Sequence, residues 1–499
     1  MKTCLLGIDI GTSACKAALF FSDGTVAAQA HSEYAVSYPR PGWAEQDPED
    51  WWQGVCWAVR QVIKTGRVSA ADIAAVGVDG QSWSAVAVDG NGRSLCKTPI
   101  WTDTRAVREC EEIRAKIPER ILFELSGNPV HPSYTFPKIL WYRNNLPDVY
   151  RRAKLILQSN SYIVMRLTGK ATQDRSQGYG LSCYNMRNGE WDMSIAQELG
   201  IRQELLPPLV DCHQVVGQVS RGAALETGLS EGTPVVAGGL DAACGTLGAG
   251  VHQPGETQEQ GGQAGGMSIC LDYYVSDPKL ILSAHVVPGR WLLQGGTTGG
   301  GGALKWLREQ VCPELGFDRM SELAGDVPAG SEGLLFLPYM AGERSPIWNP
   351  GACGVFFGIA YSKTRAHLIR AVMEGVGYAL RHNMDTAVGA GVNPRILRAM
   401  GGSANSLVWT QIKSDITGLE IEVPSSDTAT TLGAAILAGV GCGVYSDFPS
   451  AVAKTIAVRR RHTPDAGNRY AYETGYARYL ELYRRLETMM DGGRQECEQ

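Results

Sequence analysis

Residues 5–28 alternate apolar runs with tight turns, and that pattern constrains the fold more than any other feature of the chain. Leu5-Leu6-Gly7-Ile8-Asp9-Ile10 is apolar and enters the glycine turn Gly11-Thr12-Ser13. Ala17-Ala18-Leu19-Phe20-Phe21, the turn Ser22-Asp23-Gly24 and Val26-Ala27-Ala28 follow. Apolar runs this short, bounded by Gly, Asp and Ser, are strands joined by turns, so a three-stranded meander is expected. A helix should then run from Asp47 to about Thr65. Asp47 is a fitting N-cap, Pro48 suits the first helical position, and Glu49 and Asp50 complement the helix dipole. A buried strand at 74–78 and its return at 85–90 complete the unit.

The same order recurs in the second half. Residues 233–247 form a buried strand that ends in glycines and Asp241. Strands are expected near 267–275 and 290–294, and helices over about 300–310 and 364–389. A strand at 396–400 leads into Gly401-Gly402-Ser403-Ala404-Asn405 and a further helix. Thr428 to Ala438 is small and apolar, suited to close packing on a sheet, and a helical tail covers roughly 468–490. At 499 residues the chain exceeds what one ordinary core serves. The expected fold class is α/β, in two related halves of mixed sheet and helix. The 60 glycines cluster at 237–250, 261–266 and 295–302, with a pair at 401–402. An average chain of this length carries about 35. Clusters set between apolar elements fit turns held against a ligand.

Other classes find no support. A net charge of −5 and the lack of a basic run speak against nucleic acid as a partner. No stretch of about 20 apolar residues suggests a bilayer span, and the amino terminus does not resemble an export signal. The 13 cysteines are scattered, without a CxxC pair. A reduced, soluble, cytoplasmic protein without a zinc site is expected.

Three motifs carry chemistry. In Gly7-x-Asp9-x-Gly11-Thr12-Ser13-x-x-Lys16 the glycines let backbone N–H groups approach a phosphate. Thr12 and Ser13 add hydroxyls and Lys16 a charge, while Asp9 can hold magnesium through water. The same residues also make a plain hairpin with an exposed Asp. Asp241, in Gly238-Gly239-Leu240-Asp241-Ala242, is placed either to take a proton from a substrate hydroxyl or to cap a helix. Gly401 to Asn405, between strand and helix, offers a backbone surface for a nucleotide or simply a capped helix.

These motifs occur in register with Gly42-Trp43-x-Glu45-Gln46-Asp47-Pro48, Trp101-x-Asp103-x-Arg105 and Leu337-Pro338-Tyr339-x-x-Gly342-Glu343-Arg344-Ser345-Pro346. Glu374-Gly375-Val376, Gly401 to Gln411 and Asp415-x-x-Gly418 continue the series. Together, over about residues 5–440, they resemble the FGGY carbohydrate kinases, most closely the xylulokinase branch. The resemblance implies two actin-like (ribonuclease H-like) domains, 1–246 and 247–499, with ATP, Mg2+ and a small sugar in the cleft between them. It implies Asp241 as general base, with Asp9 and Asp241 at the metal. Gly11, Thr12, Ser13, Lys16, Gly262 and Gln263 would meet phosphates. Gly301, Lys305, Gly401, Gly402 and Asn405 would meet the nucleotide, and Gln81, Ser82, Trp83 and Asp103 the sugar. Trp306 and Trp409 are expected as core anchors. A homodimer is compatible with the family.

Three departures fall near the expected cleft. Ser82-Trp83 stands where xylulokinases usually have Met-His, which changes hydrogen bonding and pocket volume. Ala242 replaces an Asn after the catalytic aspartate. Gly262-Gln263-Ala264-Gly265 replaces a Gly-Thr-Ser/Gly phosphate turn. Another ketose, a polyol or an aldonate therefore stands beside the ketopentose as substrate, with a non-catalytic sugar or nucleotide sensor as the alternative class.

Overall fold

The computed structural model describes residues 3–426 and 428–497. Its first sheet contains β1 (Cys4–Ile10), β2 (Ala14–Phe21), β3 (Val26–Glu33), β4 (Ile73–Gly80), β5 (Val215–Gln218), β6 (Pro234–Val236) and β7 (Gly239–Leu240). The spatial order is β5-β6-β4-β1-β2-β3, with β7 also beside β4. The second sheet contains β8 (Glu256–Gly261), β9 (Gly265–Leu271), β10 (Ile281–Ala284), β11 (Trp291–Thr297), β12 (Ile396–Met400), β13 (Ile421–Pro424) and β14 (Val458–His462). Its order is β10-β11-β9-β8-β12-β13-β14.

With the edge strand β10 set aside, the two orders coincide. In the first sheet the meander β1-β2-β3 is antiparallel, β4 runs parallel to β1, β6 parallel to β4, and β5 closes antiparallel. In the second, β8-β9-β11 form the meander, β12 and β13 follow in parallel, and β14 closes antiparallel. These are the two related halves that the sequence pattern led us to expect, in the actin-like arrangement that the family resemblance implied. Every residue of β1 is buried, because a central strand covered on both faces needs a continuous apolar run.

The principal helices are α1 (Pro48–Gly66), α2 (Thr135–Asn145), α3 (Asp241–Gly248), α4 (Gly301–Val311), α5 (Arg365–Gly389), α6 (Leu407–Thr417), α7 (Ala429–Gly441) and α8 (Arg469–Cys497). Asp47 caps α1 through Glu49 N–H at 3.0 Å. Although α7 belongs to the second half of the chain, it packs on β1, β4 and α3. Glycine permits this approach. A Cβ at Gly7 would stand 1.9 Å from the Thr431 carbonyl oxygen, and one at Gly77 2.0 Å from that of Ala434.

The expected return strand at 85–90 is not part of the first sheet. Val86–Val88 pairs instead with Leu155–Leu157 in a separate ribbon. Both edges of β4 are already taken, by β1 on one side and by β6 and β7 on the other.

Candidate active site

Three neighbouring parallel strands of the first sheet end in carboxylates. Asp9 ends β1 and stands in register with Asp79 on β4, while Gly239 of β7 pairs with Asp79 and leads through Leu240 to Asp241. Ligands of α/β sheets gather at such carboxyl ends. Lys16 on β2 reaches back to Asp9 at 3.1 Å, and that carboxylate raises the Lys16 pKa.

Asp241 is the first residue of α3, and its side chain does not serve as the N-cap. The strand end before it is fixed by Leu240 N–H donating to Ser176 Oγ at 2.8 Å, with Ser176 in turn bonded to Asp174 at 2.5 Å. Gly238 has φ +75°, and a Cβ there would lie 1.7 Å from the Val78 carbonyl oxygen, so only glycine fits this bend. Burial, then the charge of Asp9, push the Asp241 carboxyl up to about 7, while the Ala242 N–H and Lys16 oppose the shift. A carboxyl in that range is matched to taking a proton near neutral pH.

The opposite wall comes from the second sheet. Gly301 N–H donates to the Gly262 carbonyl at 2.7 Å and Gly302 N–H to that of Gln263 at 2.9 Å. A Cβ at Gly401 would meet the Gly261 carbonyl carbon at 3.0 Å. Gly262, Gln263, Gly301 and Gly401 therefore form one stretch of closely packed backbone. Behind it, Lys413 of α6 bonds Glu259 of β8 at 2.6 Å and Ser403 Oγ at 2.7 Å, with both charged groups buried. Asp9, Gly11, Thr12, Ser13, Lys16, Asp241, Gly262 and Gly401 line a single cavity of about 540 Å³.

The Gly11–Ser13 turn is braced from behind. Tyr34 OH donates to the Gly11 carbonyl at 2.7 Å, Gln46 to that of Thr12 at 2.7 Å, and Trp101 Nε1 to Thr12 Oγ1 at 2.8 Å. Gln81 is buried in this layer and donates to Gln46 at 2.7 Å. Trp83 lines a second cavity of about 670 Å³ with Trp101, Tyr134, Thr298 and Arg344. It lies against the rings of Tyr134, at 4.6 Å, and Tyr179, at 5.5 Å. Ser82, half-buried, immediately precedes it.

Other expected residues stand apart. Asp103 lines neither cavity. It is fully buried, with its carboxylate taken by the Arg105 guanidinium at 2.7 Å and by Ala44 N–H at 2.7 Å. Lys305 is 54% exposed and lies 3.9 Å from Glu309. Gly402 and Asn405 are exposed in the short turn after Gly401, where Asn405 accepts from Arg459 at 3.2 Å. Trp409 is a buried anchor whose Nε1 donates to the Met373 carbonyl at 3.0 Å. Trp306 is not buried as expected. It is 38% exposed, since the buried residues of α4 are Ala303, Leu304 and Leu307.

Sequence reasoning passed over Asp79, Tyr134, Tyr179, Gln258, Gln260 and Thr430. Asp79 had a signal, since it ends an apolar strand as Asp9 does. Gln258, Gln260 and Thr430 line the cleft only because β8 and α7 meet there.

Two duplicated mixed sheets, sharing a cleft of carboxylates and bare glycine backbone, define a fold and site of the sugar-kinase class. The N-terminal domain pattern of the FGGY family of carbohydrate kinases matches residues 4–248, and its C-terminal domain pattern matches 273–442. The chain belongs to this family and is a carbohydrate kinase, of the kind that phosphorylates a sugar with ATP. A xylulose kinase of Staphylococcus epidermidis is 32% identical over 98% of both chains. A gluconokinase of Bacillus subtilis is 31% identical over 98% of this chain and 97% of its own. The crystal structure of xylulose kinase from Rhodospirillum rubrum superposes with a TM-score of 0.90 at 30% identity, covering 98% of this chain and 99% of that one. Among the described residues no helix is long and apolar enough to cross a membrane, and no cluster of three metal-ligating side chains occurs.

Proposed function

We propose that this chain transfers the terminal phosphoryl group of ATP to a hydroxyl of a small sugar, a ketopentose such as xylulose, with Asp241 as general base. The observation that carries the proposal is Asp241 itself. Its carboxyl, pushed up to about 7, shares one cavity with Asp9, Lys16 and the Gly262 and Gly401 backbone. Asp241 takes the hydroxyl proton as the sugar oxygen bonds to phosphorus and the bond to the ADP oxygen breaks. Gly11, Thr12, Ser13 and Lys16 on one wall, with Gly262, Gln263 and Gly301 on the other, hold the phosphates. Gly401, Gly402, Asn405 and Lys305 serve the nucleoside side, and Gln81, Ser82 and Trp83 the sugar side.

Magnesium fits this site. Asp9 is nearly buried at the cavity wall, in the same cavity as Asp241, so two carboxyl side chains face the space where the phosphates would lie. Asp9 and Asp241 would hold the ion through water, and it would supply positive charge to the phosphates. The halves 1–246 and 247–499 act as the domains that close on the substrates. Reduced thiols at twelve cysteines, Cys4 to Cys442, support a reducing, cytoplasmic setting.

One observation favours an aldonate as a second reading. Arg344 lines the Trp83 cavity, where the Glu343 carboxylate acts on it through space but no hydrogen bond or close ion pair holds its guanidinium among the described residues. A carboxylate would satisfy it. The test is an ADP-release assay with magnesium-ATP against ketoses, polyols and aldonates. Turnover on xylulose supports the first reading and turnover on an aldonate alone supports the second. Silence across the panel, with ATP bound, would point to an acceptor outside it or to the non-catalytic sensor.

A further inference from the structure

Between β4 and the ribbon strand Val86–Val88, the chain carries Trp83 with a left-handed backbone, φ +57°. That conformation is costly for a bulky side chain and persists only where its surroundings impose it. One helix does so. Thr135 Oγ1 donates to the Ser84 carbonyl at 3.2 Å, Tyr142 OH to that of Ala85 at 2.8 Å, and Lys138 Nζ to that of Trp83 at 2.9 Å, all from α2.

Lys138 does more than its neighbours. It is fully buried, and the same ammonium donates to the carbonyls of Ile100 at 2.7 Å and Ser133 at 2.6 Å. Each acceptor is in, or next to, a residue of the second cavity: Trp83 itself, Trp101 after Ile100, and Ser133 with Tyr134. No carboxylate bonds the ammonium among the described residues, and Asp103 acts on it only through space.

We propose that Lys138 is a positioning residue for the acceptor: by filling three carbonyls with three N–H bonds, it sets the spacing of Trp83, Trp101 and Tyr134 and so the affinity for the acceptor. This rests on the reading that the Trp83 cavity receives the acceptor. An ammonium has three donors, whereas the amine has two and a lone pair, so loss of the proton turns one carbonyl away and releases one wall segment. Burial lowers the Lys138 pKa to about 7, with Asp103 opposing and Arg105 reinforcing the shift. Both forms are then populated near neutral pH. Arg105 is itself paired with Glu45 at 2.8 Å. His131, on the same wall, is pushed below its usual range by burial and then by the charges of Lys138 and Arg114.

The test compares Lys138→Met with wild type by steady-state kinetics. It also follows the indole N–H NMR signals of Trp83 and Trp101, assigned with Trp83→Phe and Trp101→Phe. Lys138→Met should raise the acceptor KM about tenfold or more while kcat and the KM for ATP stay within about twofold. The indole signals of the wild type should shift between about pH 6 and 8, and the variant should lack that shift. Asp241 titrates in the same range, so the comparison is repeated in Asp241→Asn, where adding Lys138→Met should remove the shift that remains. The NMR arm needs no acceptor and holds even where the sugar assignment fails. Indole signals that stay flat in Asp241→Asn, or a folded Lys138→Met with an unchanged acceptor KM, would overturn the inference. The flat-signal outcome decides the matter if Lys138→Met does not fold.

Discussion

Asp79 is fully buried beside Asp9, and neither of its carboxylate oxygens has a hydrogen-bond partner among the described residues. Burial first, then the charges of Asp9 and Asp241, raise its pKa well above the usual carboxylate range, which favours the protonated acid. A carboxyl raised in the folded state contributes stability that is full below the unfolded value, about 3.9, and is lost as pH climbs toward the folded one. Asp79→Asn, which mimics the protonated acid, should therefore gain stability over wild type as the pH rises from about 5 to 8. Thermal melts across that range check the widening gap, and parallel curves would refute it. Asp241 works as a base only when ionised, so kcat/KM should fall about tenfold per pH unit below about 7. Asp241→Asn should lose turnover by about 100-fold or more while ATP still binds, read by calorimetry beside the ADP-release assay. Asp9 and Asp241 were legible in the sequence because each ends an apolar run beside glycine. Asp79 does the same, but its meaning lies in its register with Asp9, and register is a tertiary fact.

At the level of elements, two contacts position the nucleotide wall. The Lys413–Glu259 pair, 2.6 Å long and buried at both ends, ties α6 to β8. Lys413→Met leaves Glu259 uncompensated and should cost about 3–5 kcal/mol, with a raised KM for ATP. Urea unfolding and steady-state kinetics measure the two effects. The second contact is α7 on the first sheet. A Cβ on Gly7 would stand 1.9 Å from the Thr431 carbonyl, and a backbone atom cannot rotate aside. Gly7→Ala should therefore destabilise by roughly 1–3 kcal/mol in the same unfolding experiment. The small apolar residues of 428–438 foretold close packing on a sheet. Which sheet they meet was not legible, since helix patterning states a buried face and not its partner. The misplaced return at 85–90 has the same origin: its apolar alternation fits any strand, and the occupied edges of β4 exclude it from the sheet.

For the whole molecule, the walls of the active cavity belong to different sheets, so substrates on both walls should draw the halves together. Small-angle scattering should show a lower radius of gyration with a nonhydrolysable ATP analogue and acceptor together than with either alone. An unchanged radius would mean that the cleft is already closed. The amino-acid sequence by itself determined the two-part α/β plan and the strand ends that carry Asp9 and Asp241. It also determined the glycine turns of the cleft, because apolar periodicity and the demands of tight turns act locally along the chain. Only the tertiary structure decided that Asp79 joins them, that Asp103 is consumed by Arg105, and that Lys138 fastens the aromatic wall. Those outcomes depend on which distant segments share a buried space, where a charge must find partners that sequence spacing cannot name.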